Sequence, residues 1–141
     1  MTVINKINMK TLTSISVLFV VFFANAQTFN PEDTEEVIIG TWVSEEDNNW
    51  TIEFTQTGLY YDHYQGEYSD TYNYEIVNIS PLCGYDVPVA DNTQYLILSK
   101  PLEGTDKLCY TINGFHRSSP ERLTLSLTFV GNGGYLLFIK Q

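Results

Sequence analysis

Basic residues are scarce. The 141-residue chain has 7 Lys and Arg against 17 Asp and Glu, a formal net charge of −10. That balance excludes a nucleic-acid-binding surface, which needs clustered cations to neutralise phosphates. Metal-ligating residues are few as well: with two Cys and two His, a multi-ligand zinc or iron–sulfur framework is not available. Helical periodicity and internal repeats are missing, and so is any apolar run of the roughly 20 residues needed to span a bilayer. Neither a nucleophile elbow of the form G-x-S-x-G nor a phosphate-cradling glycine loop before a helix occurs.

What is there begins with an address. Lys6 and Lys10 precede the apolar run from Ile15 to Phe23, and Ala24-Asn25-Ala26 supplies a small-x-small cleavage pattern. Residues 1–26 therefore read as a signal peptide, cut near Ala26 to leave Gln27 at the mature N-terminus. Met9 makes an equally good start as Met1. No Cys follows the cleavage site, which argues against a lipoprotein anchor. The expected product is exported, periplasmic or secreted, with no stable membrane anchor. Lys6 and Lys10 are the only charged residues of the leader, so the mature chain carries 17 acids and 5 bases, a net charge of −12. Such a surface favours a solvated protein and attracts basic partners. Export also suits Cys83 and Cys109, which an oxidising compartment would join as a structural disulfide. Closing that 26-position loop removes roughly 3.5 kcal/mol of unfolded-chain entropy.

Residues 27–36 form a lead-in, in which Asn30, Pro31 and the acids behind them predict a short helical turn. Residues 37–141 form one domain of short β signals separated by turn residues. The expected strands are Val37–Ser44, Trp50–Thr55, Leu59–Tyr64, Asp70–Asn78, Thr93–Lys100, Lys107–Asn113, Arg122–Phe129 and Gly134–Lys140. Ser80–Asn92 and Gly114–Glu121 read as loops. All connections are short enough for antiparallel neighbours. An open sheet of this length would leave two edges to pair with other chains, and curling it shut removes both. The predicted fold is all-β, an eight-stranded antiparallel up-and-down barrel. A two-sheet sandwich fits the same pattern if the Cys83 loop is a crossover.

Gly40-Thr41-Trp42, placed after a helical turn at the head of the strands, resembles the lipocalin and calycin signature, in which the Trp plugs the closed end of the barrel. With Phe54-Thr55-Gln56-Thr57-Gly58 and Gly131-Asn132-Gly133-Gly134, the domain is similar to the short secreted lipocalin-like domains of Bacteroidetes. The resemblance implies structural roles for Gly40 and Trp42 and a small apolar ligand, with no cofactor. Two departures stand out. Larger lipocalins continue into a C-terminal helix, and they stack a late Arg on the signature Trp where this chain offers Lys140. Avidins share the G-x-W start, but Trp42 and Trp50 are too few for their Trp-lined pocket.

Alternation points Trp42, Trp50, Ile52, Phe54, Tyr61, Tyr72, Tyr74, Ile76, Tyr110, Ile112, Leu125, Leu127 and Phe129 inward. Residues so large make a side-chain-filled interior a rival to a cavity. All ten Tyr fall in the mature chain, six of them between Tyr60 and Tyr74. They offer cross-strand aromatic pairs or a binding surface of flat apolar rings with hydroxyl groups. The candidate ligand-binding residues are Tyr61, His63, Tyr72, Tyr74 and Tyr110. Catalytic and metal-binding residues are not expected: His116 lies near serines without a nucleophile motif, and Asp86 and Asp91 lack the spacing of a calcium loop. The expected function is non-enzymatic binding of a small apolar or aromatic molecule. The alternative is an interaction or inhibitor module with a filled barrel, meeting a basic protein such as lysozyme through its loops and acidic surface.

Overall fold

The computed structural model describes residues 31–81, 83–84, 87, 92–102 and 106–141. The expected leader and its cleavage site, the capping Asn30, and Asp86 and Asp91 lie outside the described residues. Helix α1 (Pro31–Ile38) is followed by β1 (Gly40–Ser44), β2 (Trp50–Phe54), β3 (Leu59–Tyr64), β4 (Glu67–Val77), β5 (Gln94–Ser99), β6 (Lys107–Ser119), β7 (Arg122–Phe129) and β8 (Tyr135–Lys140). Each strand pairs antiparallel with the next, and β8 returns to β1 through Trp42↔Lys140, Val43↔Ile139 and Ser44↔Phe138. The eight-stranded barrel is closed, so the sandwich alternative is excluded. A closed antiparallel meander of eight strands is consistent with a calycin-like fold.

Two segments differ from the sequence reading. Val37 and Ile38 complete α1 instead of opening the first strand. Gly114–Glu121 is not a loop, because β6 continues to Ser119. A register shift between Ile112 and Gly114, where Gly114 adopts φ +133°, absorbs one residue and lets pairing with β7 resume at Gly114↔Ser126. Glycine supplies a backbone conformation that a side chain would strain. The predicted terminal hairpin does form: the Phe129 N–H donates to the Gly134 carbonyl and the Gly133 N–H to that of Phe129.

The helix closes one end of the barrel. Thr34 and Ile38, one turn apart, are both buried at 1% and 0% exposure, as expected for one face of a helix. Trp42 is fully buried, and its indole Nε1 donates to the Ile38 carbonyl at 2.7 Å. That carbonyl belongs to the last turn, whose acceptors lack partners within the helix. Lys140 Nζ donates to the Val37 carbonyl at 2.7 Å and sits 5.2 Å from the centroid of the Trp42 ring. Lys140 thus stands from the last strand over the buried Trp42 ring. Gly40 has φ +123°, and a Cβ there would lie 3.3 Å from Lys140 Cε. Backbone conformation and the close passage of Lys140 together require glycine at this position.

Above the helix the interior is filled. Phe54, Ile52, Leu96, Leu98, Leu125 and Phe138 are each at most 1% exposed, so no water-sized space adjoins them. Strand β5 is buried on both faces. Its outward residues Tyr95 and Ile97, 1% and 8% exposed, lie on the same outer wall as Cys109, which pairs with Ile97. Cys83 is bonded to Cys109, with Cα atoms 6.3 Å apart, and neighbouring Pro81 is fully buried. The disulfide therefore ties Cys83, in the β4–β5 connection, to the outer wall of the barrel beside the buried apolar positions of β5. A disulfide suggests an oxidising, non-cytoplasmic environment. No helix among the described residues is long and apolar enough to cross a membrane.

Candidate functional site

At the end opposite α1, the residues that face inward are set by strand register. Facing pairs across neighbouring antiparallel strands share a side of the sheet. Trp42 pairs with Ile52, Ile52 with Asp62 and Asp62 with Asp70, so both aspartates lie on the inner side. Phe54 pairs with Tyr60 and Tyr60 with Tyr72; Leu96 pairs with Tyr110 and Tyr110 with Phe129. Moving away from the helix, the buried core gives way to half-buried Trp50, Asp62, Tyr110, Phe129 and Leu136. Inward side chains with partial exposure define a shallow cup over a solid floor.

The cup combines aromatic walls with a carboxylate. Trp50 Nε1 donates to Asp62 Oδ1 at 2.8 Å, and the Trp50 ring meets Phe138 edge-on at 5.0 Å between centroids. The Tyr60 ring lies 5.9 Å from Tyr72, and Tyr110 lies 5.4 Å from Phe129, both edge-to-face. Such geometries suit the quadrupoles of the rings and fix their orientation. At the rim Asp70 is held by Lys100 and accepts a bond from the Tyr72 hydroxyl at 3.3 Å. The Lys100 ammonium stands 4.5 Å from the centre of the Tyr72 ring.

Burial sets the protonation states. It pushes the Asp62 carboxyl above the usual aspartate range, against the bond from Trp50, which favours the ionised form. Burial also raises the hydroxyls of Tyr60 and Tyr110, with a further push from the neighbouring charge of Asp62. These tyrosines stay neutral and able to donate. The Lys100 ammonium is pushed up by its bond to Asp70. Asp70 is thus paired with Lys100, while Asp62, which the neighbouring His63 draws down against the effect of burial, has no ion-pair partner among the described residues.

Two inward groups have no hydrogen-bond partner among the described residues. Every fully buried side-chain nitrogen or oxygen among the described residues has a hydrogen-bond partner. No described residue bonds the hydroxyl of Tyr60, although that side chain is only 6% exposed. Its oxygen therefore opens onto water-sized space. Asp62 keeps one carboxylate oxygen beyond the reach of Trp50 Nε1.

The sequence-predicted residues separate into three places. Tyr72 and Tyr110 are in the cup. Tyr74 is inward but at the helix end, its hydroxyl donating to the Thr55 carbonyl at 2.8 Å and its ring 5.1 Å from Phe54. Tyr61 and His63 are corrected: they lie on the outer wall. Tyr61 pairs with Glu53 and Thr71, His63 with Thr51 and Tyr68, and the rings of Tyr61 and His63 pack on Tyr68 at 5.5 and 4.5 Å. Glu53 Oε2 lies 4.0 Å from His63 Nε2. Tyr60 takes the inward place expected of Tyr61, because Asp62 is an inward position. An aspartate between aromatic residues reads as the solvent side of a strand, so alternation alone hid both Tyr60 and Asp62. The inward acid is intelligible only with Trp50 and the open mouth in view.

Two grooves lie at the helix end. One, of about 290 Å³, is lined by Val37, Arg117, Glu121, Leu123 and Lys140. The other, of about 380 Å³, is lined by Glu35, Ile39, Gln56, Tyr74 and Ile76. Among the described residues, no group of three or more His, Cys, Asp or Glu is placed to hold a metal ion. Compared with protein-family models, curated proteins and solved structures, the chain shows no significant match.

Proposed function

We propose that this chain is an exported lipocalin-like barrel, of the short bacterial secreted kind, that binds a small, largely aromatic molecule non-covalently at its open end. The observation that carries the reading is the cup itself: inward rings around a carboxylate oxygen and a tyrosine hydroxyl that no described residue bonds. Small-molecule sites combine apolar walls with a few polar groups that fix orientation. Trp50, Tyr72, Tyr110 and Phe129 serve as walls; Tyr60 and Asp62 serve as the polar contacts. The solid interior beneath confines the ligand to the mouth, so long fatty chains are poor candidates and single-ring molecules good ones. Tyr74, at the helix end, and Tyr61 and His63, on the outer wall, lie away from this cup.

Native mass spectrometry of protein purified from the exporting cell, together with quenching of Trp50 fluorescence by a set of small aromatic compounds, tests the reading. A one-to-one adduct and saturable quenching that Trp50→Phe removes are expected. No adduct and no quenching would overturn it.

A second reading is favoured by the filled lower barrel and by the outer aromatic stripe, where Tyr68 is 67% exposed. In it the acidic outer wall meets a basic protein such as lysozyme. Such a complex weakens as salt rises; affinity unchanged by salt would count against it.

A further inference from the structure

We infer that the cup selects organic cations: its ligand is an aromatic amine whose ammonium group bonds the free oxygen of Asp62 while its ring lies among Trp50, Tyr72 and Tyr110. This rests on the reading of the open end as a ligand site and names the chemistry of what enters it.

Charge decides the sign of the ligand. Among the described residues Asp62 and Asp70 are inward carboxylates, and the ammonium of Lys100 is bound to Asp70 at the rim. Asp62 is left without an ion-pair partner among the described residues, with one oxygen satisfied by Trp50 Nε1 at 2.8 Å and no described group bonding the other. Taking a carboxylate partly out of water is unfavourable unless it gains a partner, and an arriving ammonium supplies one. The walls favour the same sign. Indole and phenol faces attract cations through the ring quadrupole, most strongly where water is displaced. The hydroxyl of Tyr60, buried but for its open oxygen, adds an acceptor for a second ammonium hydrogen. A carboxylate ligand, by contrast, would meet Asp62 directly and find Lys100 already engaged. A structural role alone does not require an acid here: the inward positions paired beside it are Ile52 and Asp70, and only Asp70 has its own cation.

The test uses three probes that share a phenyl ring and differ in the polar end: phenethylamine, 2-phenylethanol and 3-phenylpropionate. Each is titrated calorimetrically into the intact protein, into Asp62→Asn and into Glu53→Gln, which removes the same charge from the outer wall. The amine is expected to bind about tenfold or more tighter than the alcohol, in line with a charge-assisted hydrogen bond, with the acid weakest. Asp62→Asn, which keeps an acceptor for Trp50, should bring the amine to within about twofold of the alcohol while leaving the alcohol unchanged. Glu53→Gln should leave the order intact. An amine no tighter than the alcohol, or a preference that survives Asp62→Asn, would overturn the amine inference while the aromatic cup stands. Failure of all three probes to bind would remove the cup reading with it.

Discussion

Glycine 40 and lysine 140 show how much of the closed end rests on single residues. Gly40→Ala forces a side chain onto a backbone at φ +123° and against Lys140. The expected loss is about 1–3 kcal/mol, read from the midpoint of urea unfolding. Lys140→Met keeps the apolar stem but loses the bond to the Val37 carbonyl and the cation over Trp42. A drop of about 1–2 kcal/mol is expected, seen as a lower melting temperature. Asp62 behaves in the opposite way. Its carboxyl is raised above the usual aspartate value of 3.8, so the folded state holds that proton more tightly than the unfolded chain. The associated stability is present at low pH and is lost as pH rises through the raised value. Asp62→Asn should therefore gain on the wild type as pH climbs from below 3.8 to neutral. Denaturant unfolding of both proteins across that range checks the direction. Tyr72 and Tyr110 were legible as inward aromatics. Tyr60 and Asp62 were not, because a strand carrying Tyr-Tyr-Asp-His alternates equally well in either register until its pairing with Ile52 decides.

Among the elements, the β4–β5 connection depends most on a single covalent bond. Ser80–Asn92 reads as a loop from its prolines and glycine, and the pairing of the only two cysteines follows from their number. The burial of the outer face of β5 does not follow. Tyr95 and Ile97 are outward positions on β5, yet they are buried, and Cys109, paired with Ile97, carries the disulfide. Replacing both cysteines with serine should cost about 2–4 kcal/mol and expose that apolar strip. Urea unfolding measures the first effect, and increased binding of a hydrophobic dye by the folded variant measures the second. The opposite error occurred at Gly114–Glu121, where loop-forming residues continue a strand. Glycine breaks a strand pattern in sequence, but here it makes the bulge that keeps β6 paired with β7.

The whole molecule is governed by closure. Bonding of β8 to β1 leaves no unpaired edge among the eight strands, and that is how a β-rich chain avoids joining its neighbours. Deleting residues 135–141 should expose the edges of β1 and β7 together. Loss of the monomer peak on size-exclusion chromatography, with large species by light scattering, is the expected outcome. The amino-acid sequence by itself determined the eight-strand count, the antiparallel order and the cysteine pair. These follow from local periodicity, turn chemistry and residue counts, which are properties of short stretches of chain. Tertiary structure alone decided which face of β3 looks inward, how deep the packed floor reaches, and that Asp62 meets Trp50 at the mouth. Those features depend on register between strands and on how bulky side chains share a closed interior, and no single segment carries that information.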